Sequence, residues 1–125
     1  MTGPSVFEIH ESKNAEGLRL TLTGELDRFS APLLENRLAR LRVTRSPVAL
    51  NLSRLEFIDS TGIHLLIQTI GDARMKGWPF RIDPDISPPV LRLLRLVHLD
   101  HFALDGDGDG QRRARRQSRT GPAPG

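Results

Sequence analysis

An apolar strand that gives way to an amphipathic helix at Asp59-Ser60-Thr61-Gly62 constrains this chain more than any other feature. Upstream, Val48-Ala49-Leu50-Asn51-Leu52 alternates as a buried strand does. Downstream, Ile63, Leu66, Ile67 and Ile70 recur at the spacing of one helical face. Asp59 is the natural N-cap of that helix and Ser60 its first residue. A hydroxyl placed there stands beside backbone N–H groups that have no partner within the helix, and these favour an anion on it. Asp, Ser and Thr are ordinary helix-starting residues, so the tetrad alone is weak evidence. A second strand-to-helix junction strengthens it. Gly24-Glu25-Leu26-Asp27, followed by Phe29-Ser30-Ala31-Pro32, precedes the same central strand.

The remaining pattern fits around these two junctions. Leu18, Leu20 and Leu22 alternate with Arg19, Thr21 and Thr23, and Phe7 and Ile9 alternate with Glu8 and His10. Lys13 to Gly17 reads as a turn, so the two strands pair antiparallel. A helix is predicted over 30–42 with Leu34, Leu38 and Leu41 on one face, capped by Ser30 and tolerating Pro32 in its first turn. The helix over 60–76 stops at Gly77. Phe80-Arg81-Ile82 is a short strand, and Ser87-Pro88 opens a helix carrying Val90, Leu91, Leu94 and Val97. This alternation predicts an α/β fold, a mixed sheet of about four to five strands covered by helices.

The 125 residues suit one domain, placed at 1–104, with a disordered Gly/Arg-rich tail over 105–125. Hydrophobic content is 38%, but the deficit is local, because the tail has no apolar side chain larger than alanine apart from proline. Such a segment cannot offset the entropy of ordering itself. Its five arginines and three aspartates account for +2 of the net charge of +3, leaving the domain nearly neutral. A basic tail without interleaved aromatic residues is weak ground for specific nucleic-acid binding. The chain has no cysteine, which excludes disulfides, thiolate metal sites and cysteine nucleophiles. No apolar run reaches the roughly eighteen residues of a membrane span, and no secretion signal is visible, so a cytoplasmic protein is expected.

Gly24-Glu25-Leu26-Asp27, Leu50-Asn51-Leu52 and Phe57-Ile58-Asp59-Ser60-Thr61-Gly62-Ile63 together resemble the anti-sigma factor antagonist family, whose members are single STAS domains. Gly77 with Phe80-Arg81-Ile82, and then Ile86-Ser87-Pro88, resemble that family's last strand–helix unit. The resemblance implies phosphorylation of Ser60 by a partner that is both serine kinase and anti-sigma factor. It implies also that the unphosphorylated form captures this partner and frees a sigma factor, and that a PPM-type serine phosphatase resets the switch. Such a protein has no catalytic residue, cofactor or metal of its own. Gly24, Glu25 and Asp27 are then expected to shape the adjoining loop of the docking surface, Asp59 to present the serine, and Thr61, His64 and Leu65 to flank it. The alternative is a non-switching STAS subunit of a stress-signalling or lipid-transport assembly. Two departures stand out. His98 occupies a position where the family usually has glycine, and the family's final helix is missing after His101-Phe102-Ala103-Leu104. The missing helix leaves apolar surface open, which is compatible with a homodimer.

Other chemistry fails on its own terms. His64 lies four residues after Ser60 and on its face, yet no third group orients it as a base and no Gly-x-Ser-x-Gly elbow exists. Its better use is electrostatic, beside a phosphate on Ser60. Asp105, Asp107 and Asp109 imitate a calcium loop, but the twelfth position is Arg116 where a glutamate is required. His98 and His101 make half a metal site with only Asp100 nearby. Leu65 falls away from the isoleucine face and is expected either under a neighbouring helix or as an apolar contact beside Ser60.

Overall fold

Eight elements follow one another in the computed structural model, which describes residues 6–97. They are β1 (Glu8–Asn14), β2 (Gly17–Leu26), α1 (Ala31–Thr44), β3 (Val48–Leu52), β4 (Leu55–Ile58), α2 (Ser60–Lys76), β5 (Phe80–Ile86) and α3 (Pro88–Leu96). The expectations placed on His98, on 101–104 and on the tail lie outside the described residues.

The hairpin of β1 and β2 is antiparallel, as the alternation predicts, and β3 and β5 add to it in parallel to give the order β1-β2-β3-β5. β4 completes a five-stranded mixed sheet by pairing with the far end of β2. Register places Leu20, Leu50 and Ile82 in one row, and all three are buried. Leu34 and Leu38 of α1, Leu66 of α2, and Val90 and Leu94 of α3 close over them in a single core. The other face of the sheet is polar. Its next row holds Ser12, Arg19, Ala49 and Arg81. Asp83, only 5% exposed, is accommodated on β5 by Arg81 at 2.6 Å, Arg19 at 3.1 Å and the Asn51 amide at 3.3 Å. A buried carboxylate survives only with such partners.

Four local expectations are corrected. The segment after β3 is not a direct lead into α2. Asn51 Oδ1 accepts from the Ser53 N–H at 2.9 Å and the Ser53 hydroxyl at 2.6 Å, turning the chain so that β4 starts as a separate strand. β5 extends past Ile82 through Asp83 and Pro84, residues that read as loop in isolation. α1 starts at Ala31, and Ser30 makes no capping bond, its hydroxyl being used in the preceding loop.

The fourth correction concerns α2, whose bounds and stop at Gly77 match the prediction. Its buried face is Gly62, Leu65, Leu66, Thr69 and Ala73. Leu65 is 7% exposed, whereas Ile67 is 46% exposed. At about 100° per residue the helix is rotated roughly a quarter turn from the face marked by its isoleucines. Thr69 is tolerated inside because its hydroxyl donates to the Leu65 carbonyl at 2.8 Å.

Gly24 gives a direct test of this packing. Its φ is +84°, and a Cβ there would stand 2.7 Å from the Val6 carbonyl oxygen and 2.8 Å from Phe7 Cα. Gly24→Ala should therefore destabilise the domain by about 1–3 kcal/mol. The probe is urea denaturation followed by the fluorescence of the single tryptophan, Trp78, which is 3% exposed and bonded to the Ser46 carbonyl at 2.7 Å. An unchanged midpoint would show that the backbone there relaxes freely.

Candidate functional site

β2 and β4 run parallel with Glu25 opposite Phe57 and Leu26 opposite Ile58, so Asp27 and Asp59 leave the sheet side by side. The Asp59 N–H donates to the Leu26 carbonyl at 3.1 Å, which fixes where α2 begins. Asp59 is extended and its Oδ1 accepts the Gly62 N–H at 3.1 Å, the predicted N-cap. A Cβ on Gly62 would lie 2.8 Å from the Leu26 carbonyl oxygen and 2.7 Å from Ile58 Cγ1. Glycine at this position is what lets the first turn of α2 press onto the ends of both strands. Ser60 and Thr61, the first two helical residues, are exposed.

The neighbouring loop is held just as firmly. Asp27 Oδ1 accepts the N–H groups of Phe29 and Ser30, each at 3.0 Å. The Ser30 hydroxyl, buried, donates to the Glu25 carbonyl at 2.7 Å and accepts the Asp27 N–H at 2.9 Å. The Ser30 N–H holds the Asp27 carboxyl below its ordinary pKa; desolvation opposes this, and the Phe29 N–H and Ser30 hydroxyl reinforce it. Phe29 projects from this pinned loop, 75% exposed, with the Arg28 guanidinium 4.9 Å above its ring.

The predicted site residues divide by place. Glu25, Asp27, Asp59, Thr61 and His64 all reach the surface at or near the junction. Gly24 and Glu25 both lie inside β2, so they are part of a strand and not of a loop, and Gly24 supports the junction from beneath. Leu65 points into the core, and a partner cannot reach it as an exposed anchor. Phe29 on the loop and Ile67 on α2 are exposed apolar residues near the junction that do not figure among the predicted site residues. Phe29 was legible as the one large apolar residue between Asp27 and Ser30; Ile67 was hidden by its match to the isoleucine spacing.

A sequence profile described as "Mlab, STAS domain" matches residues 9–105. The chain belongs to the STAS domain family. This STAS domain is 24% identical over 93 residues to the anti-sigma-B factor antagonist of Bacillus subtilis (strain 168), spanning 74% of this chain and 84% of that protein. Its fold is similar to the crystal structure of an anti-sigma factor antagonist from Mycobacterium paratuberculosis, with a TM-score of 0.66, 23% identity, and coverage of 80% and 85% of the two chains. It is similar also to the anti-sigma factor antagonist SpoIIAA in its unphosphorylated form, at TM-score 0.61, 19% identity and coverage of 78% and 84%. The Bacillus cell fate determinant SpoIIAA in its phosphorylated form gives TM-score 0.59, 18% identity and coverage of 78% and 87%. Among the described residues of this STAS domain, no group of three His, Asp or Glu side chains is placed to hold a metal ion. No helix among them is long and apolar enough to cross a membrane.

Two substitutions probe the junction. Asp59→Ala removes a capping acceptor and should cost about 0.5–2 kcal/mol of stability, read as a lower urea midpoint. Asp27, whose folded pKa is depressed, stabilises the fold above its unfolded value of about 3.8 and loses that contribution as pH falls through the lower folded value. The gap in melting temperature between the parent chain and Asp27→Asn should therefore be constant near neutrality and narrow below about pH 4. A gap independent of pH would place the loop's stability elsewhere.

Proposed function

We propose that this STAS domain is an anti-sigma factor antagonist switched by phosphorylation of Ser60. The observation that carries the reading is an exposed serine at the first position of α2, set beside the pinned Asp27 loop by the β2–β4 register. The relatives named above support it, since those proteins are called anti-sigma factor antagonists. The unphosphorylated surface binds an anti-sigma factor that is also the serine kinase, which supplies nucleotide, metal and base. A PPM-type phosphatase restores the hydroxyl. The domain has no catalysis of its own.

Phosphate on Ser60 adds about −1.5 to −2 charges. It arrives next to Asp59 and near Asp27, so a contact surface that accepts the neutral serine meets a strongly anionic one after transfer. A negative group at a helix N-terminus is favourable to the helix itself, so release proceeds without unfolding.

Intact mass and site mapping of the protein from its native cell should find one phosphate, on Ser60 and not on Thr61. A chain carrying none there under any growth condition would favour a non-switching subunit. Calorimetric titration with the copurified kinase should show tight binding by Ser60→Ala and a loss of about 2–5 kcal/mol for Ser60→Glu, with similar melting temperatures. Equal affinities would remove Ser60 from the contact.

A further inference from the structure

We propose that His64 is the built-in counter-ion of the phosphate on Ser60, so that phosphorylation creates an ion pair along the exposed ridge of α2. The inference rests on Ser60 being the acceptor. Its geometry comes from the helix itself. Ser60 and His64 are four residues apart on α2 and both are exposed. Helical side chains lean toward the N-terminus, so the imidazole of His64 covers the turn that Ser60 begins. An acid four residues before a base is the favourable order for such a pair.

Among the described residues His64 makes no hydrogen bond or ion pair. The Gly62 N–H, which would otherwise face an anion at the helix start, is already bonded to Asp59 Oδ1. Asp59 and Asp27 make the surroundings negative, which raises the need for a cation. The elements packed against α2 are α1, β4 and β5, with the end of β2 against its first turn. On α1, Glu35 and Arg42 face the helix lower down, and Arg42 is paired with Asp72 at 2.7 Å. On β4 the charged group is Glu56, which has its own interactions. On β5, Arg81 and Asp83 are paired with each other at 2.6 Å on the polar sheet face, and Asp85 is acidic. The end of β2 contributes Glu25, and the adjoining loop contributes Asp27 and Arg28. Arg28 is the competing cation, but its guanidinium is engaged over the Phe29 ring.

The pair forms where the imidazole carries its proton and the phosphate is ionised. There it partly neutralises the charge by which phosphorylation repels the partner.

The test uses the full chain with phosphoserine installed at position 60 during translation, which removes any dependence on a kinase. The second ionisation of the phosphate, near pH 6 in the free group, is followed by phosphorus NMR. His64→Gln should raise that midpoint by about half a unit to one unit relative to the parent. His64→Lys should restore the lower value, and Arg28→Ala should leave it unchanged. A midpoint indifferent to His64→Gln, or one moved only by Arg28→Ala, overturns the inference while leaving the proposed switch intact. Absence of phosphate on Ser60 in the native cell would instead overturn the switch. Trp78 fluorescence confirms that each variant is folded.

Discussion

Leu26 and Ile58 lie opposite each other in the parallel pairing of β2 with β4, and both are buried. That short stretch of register governs the geometry of the whole junction. It carries Asp27 and Asp59 out of the sheet together, and the Leu26 carbonyl then receives the Asp59 N–H. Gly62 rests against the same carbonyl, so the start of α2 is fixed from two sides by one residue of β2. A one-residue slip would reverse which side chains of β4 face inward, burying Phe57 in place of Ile58. Ser60 is therefore exposed by a constraint in the sheet and not by the looseness of a loop.

The sheet imposes a second division. Its apolar rows face the helices, while its polar face holds a buried acid between two arginines and an amide. The cost of withdrawing Asp83 from water is offset locally, and removing either arginine leaves the carboxylate less well compensated. The candidate site owes nothing to that cluster. Asp27, Ser30 and Asp59 find their hydrogen bonds within two short segments, Glu25 to Ser30 and Asp59 to Gly62, and each segment is anchored to backbone. Such local hydrogen bonding holds the two segments without help from that cluster.

Much of this is legible in the sequence, for reasons that differ between elements. The strands of the hairpin and β3 are betrayed by alternation, and the start of α2 by a capping aspartate followed by a required glycine. What was hidden depends on contacts between distant residues. Asp83 and Pro84 look like a loop until Arg19, from a strand far away in sequence, supplies the charge that lets β5 continue. Ser30 looks like a cap because nothing in the sequence reveals that the Glu25 carbonyl needs its hydroxyl. β4 is too short for periodicity, and its only local signal is the Asn51–Ser53 turn.

The rotation of α2 shows how shape can override hydrophobicity in deciding which face is buried. Four isoleucine and leucine residues mark one stripe, yet the sheet receives Gly62, Leu65, Leu66, Thr69 and Ala73. Small residues at both ends of that stripe allow the helix to sit close over the strands, and close packing gains contact all along its length. Bulky Ile63 and Ile70 move to the margins, and Ile67 is left outside. The outward ridge then runs through Ser60, His64, Ile67, Gly71 and Met75, all exposed. None of these side chains belongs to the core, so the fold does not limit what they can be. A ridge free of packing duty is where charge and apolar contact can be tuned for a partner without a penalty in stability. Under the proposed switch, Ile67 offers an exposed apolar contact on the same ridge as the phosphate, while buried Leu65 fixes the angle at which that ridge is presented.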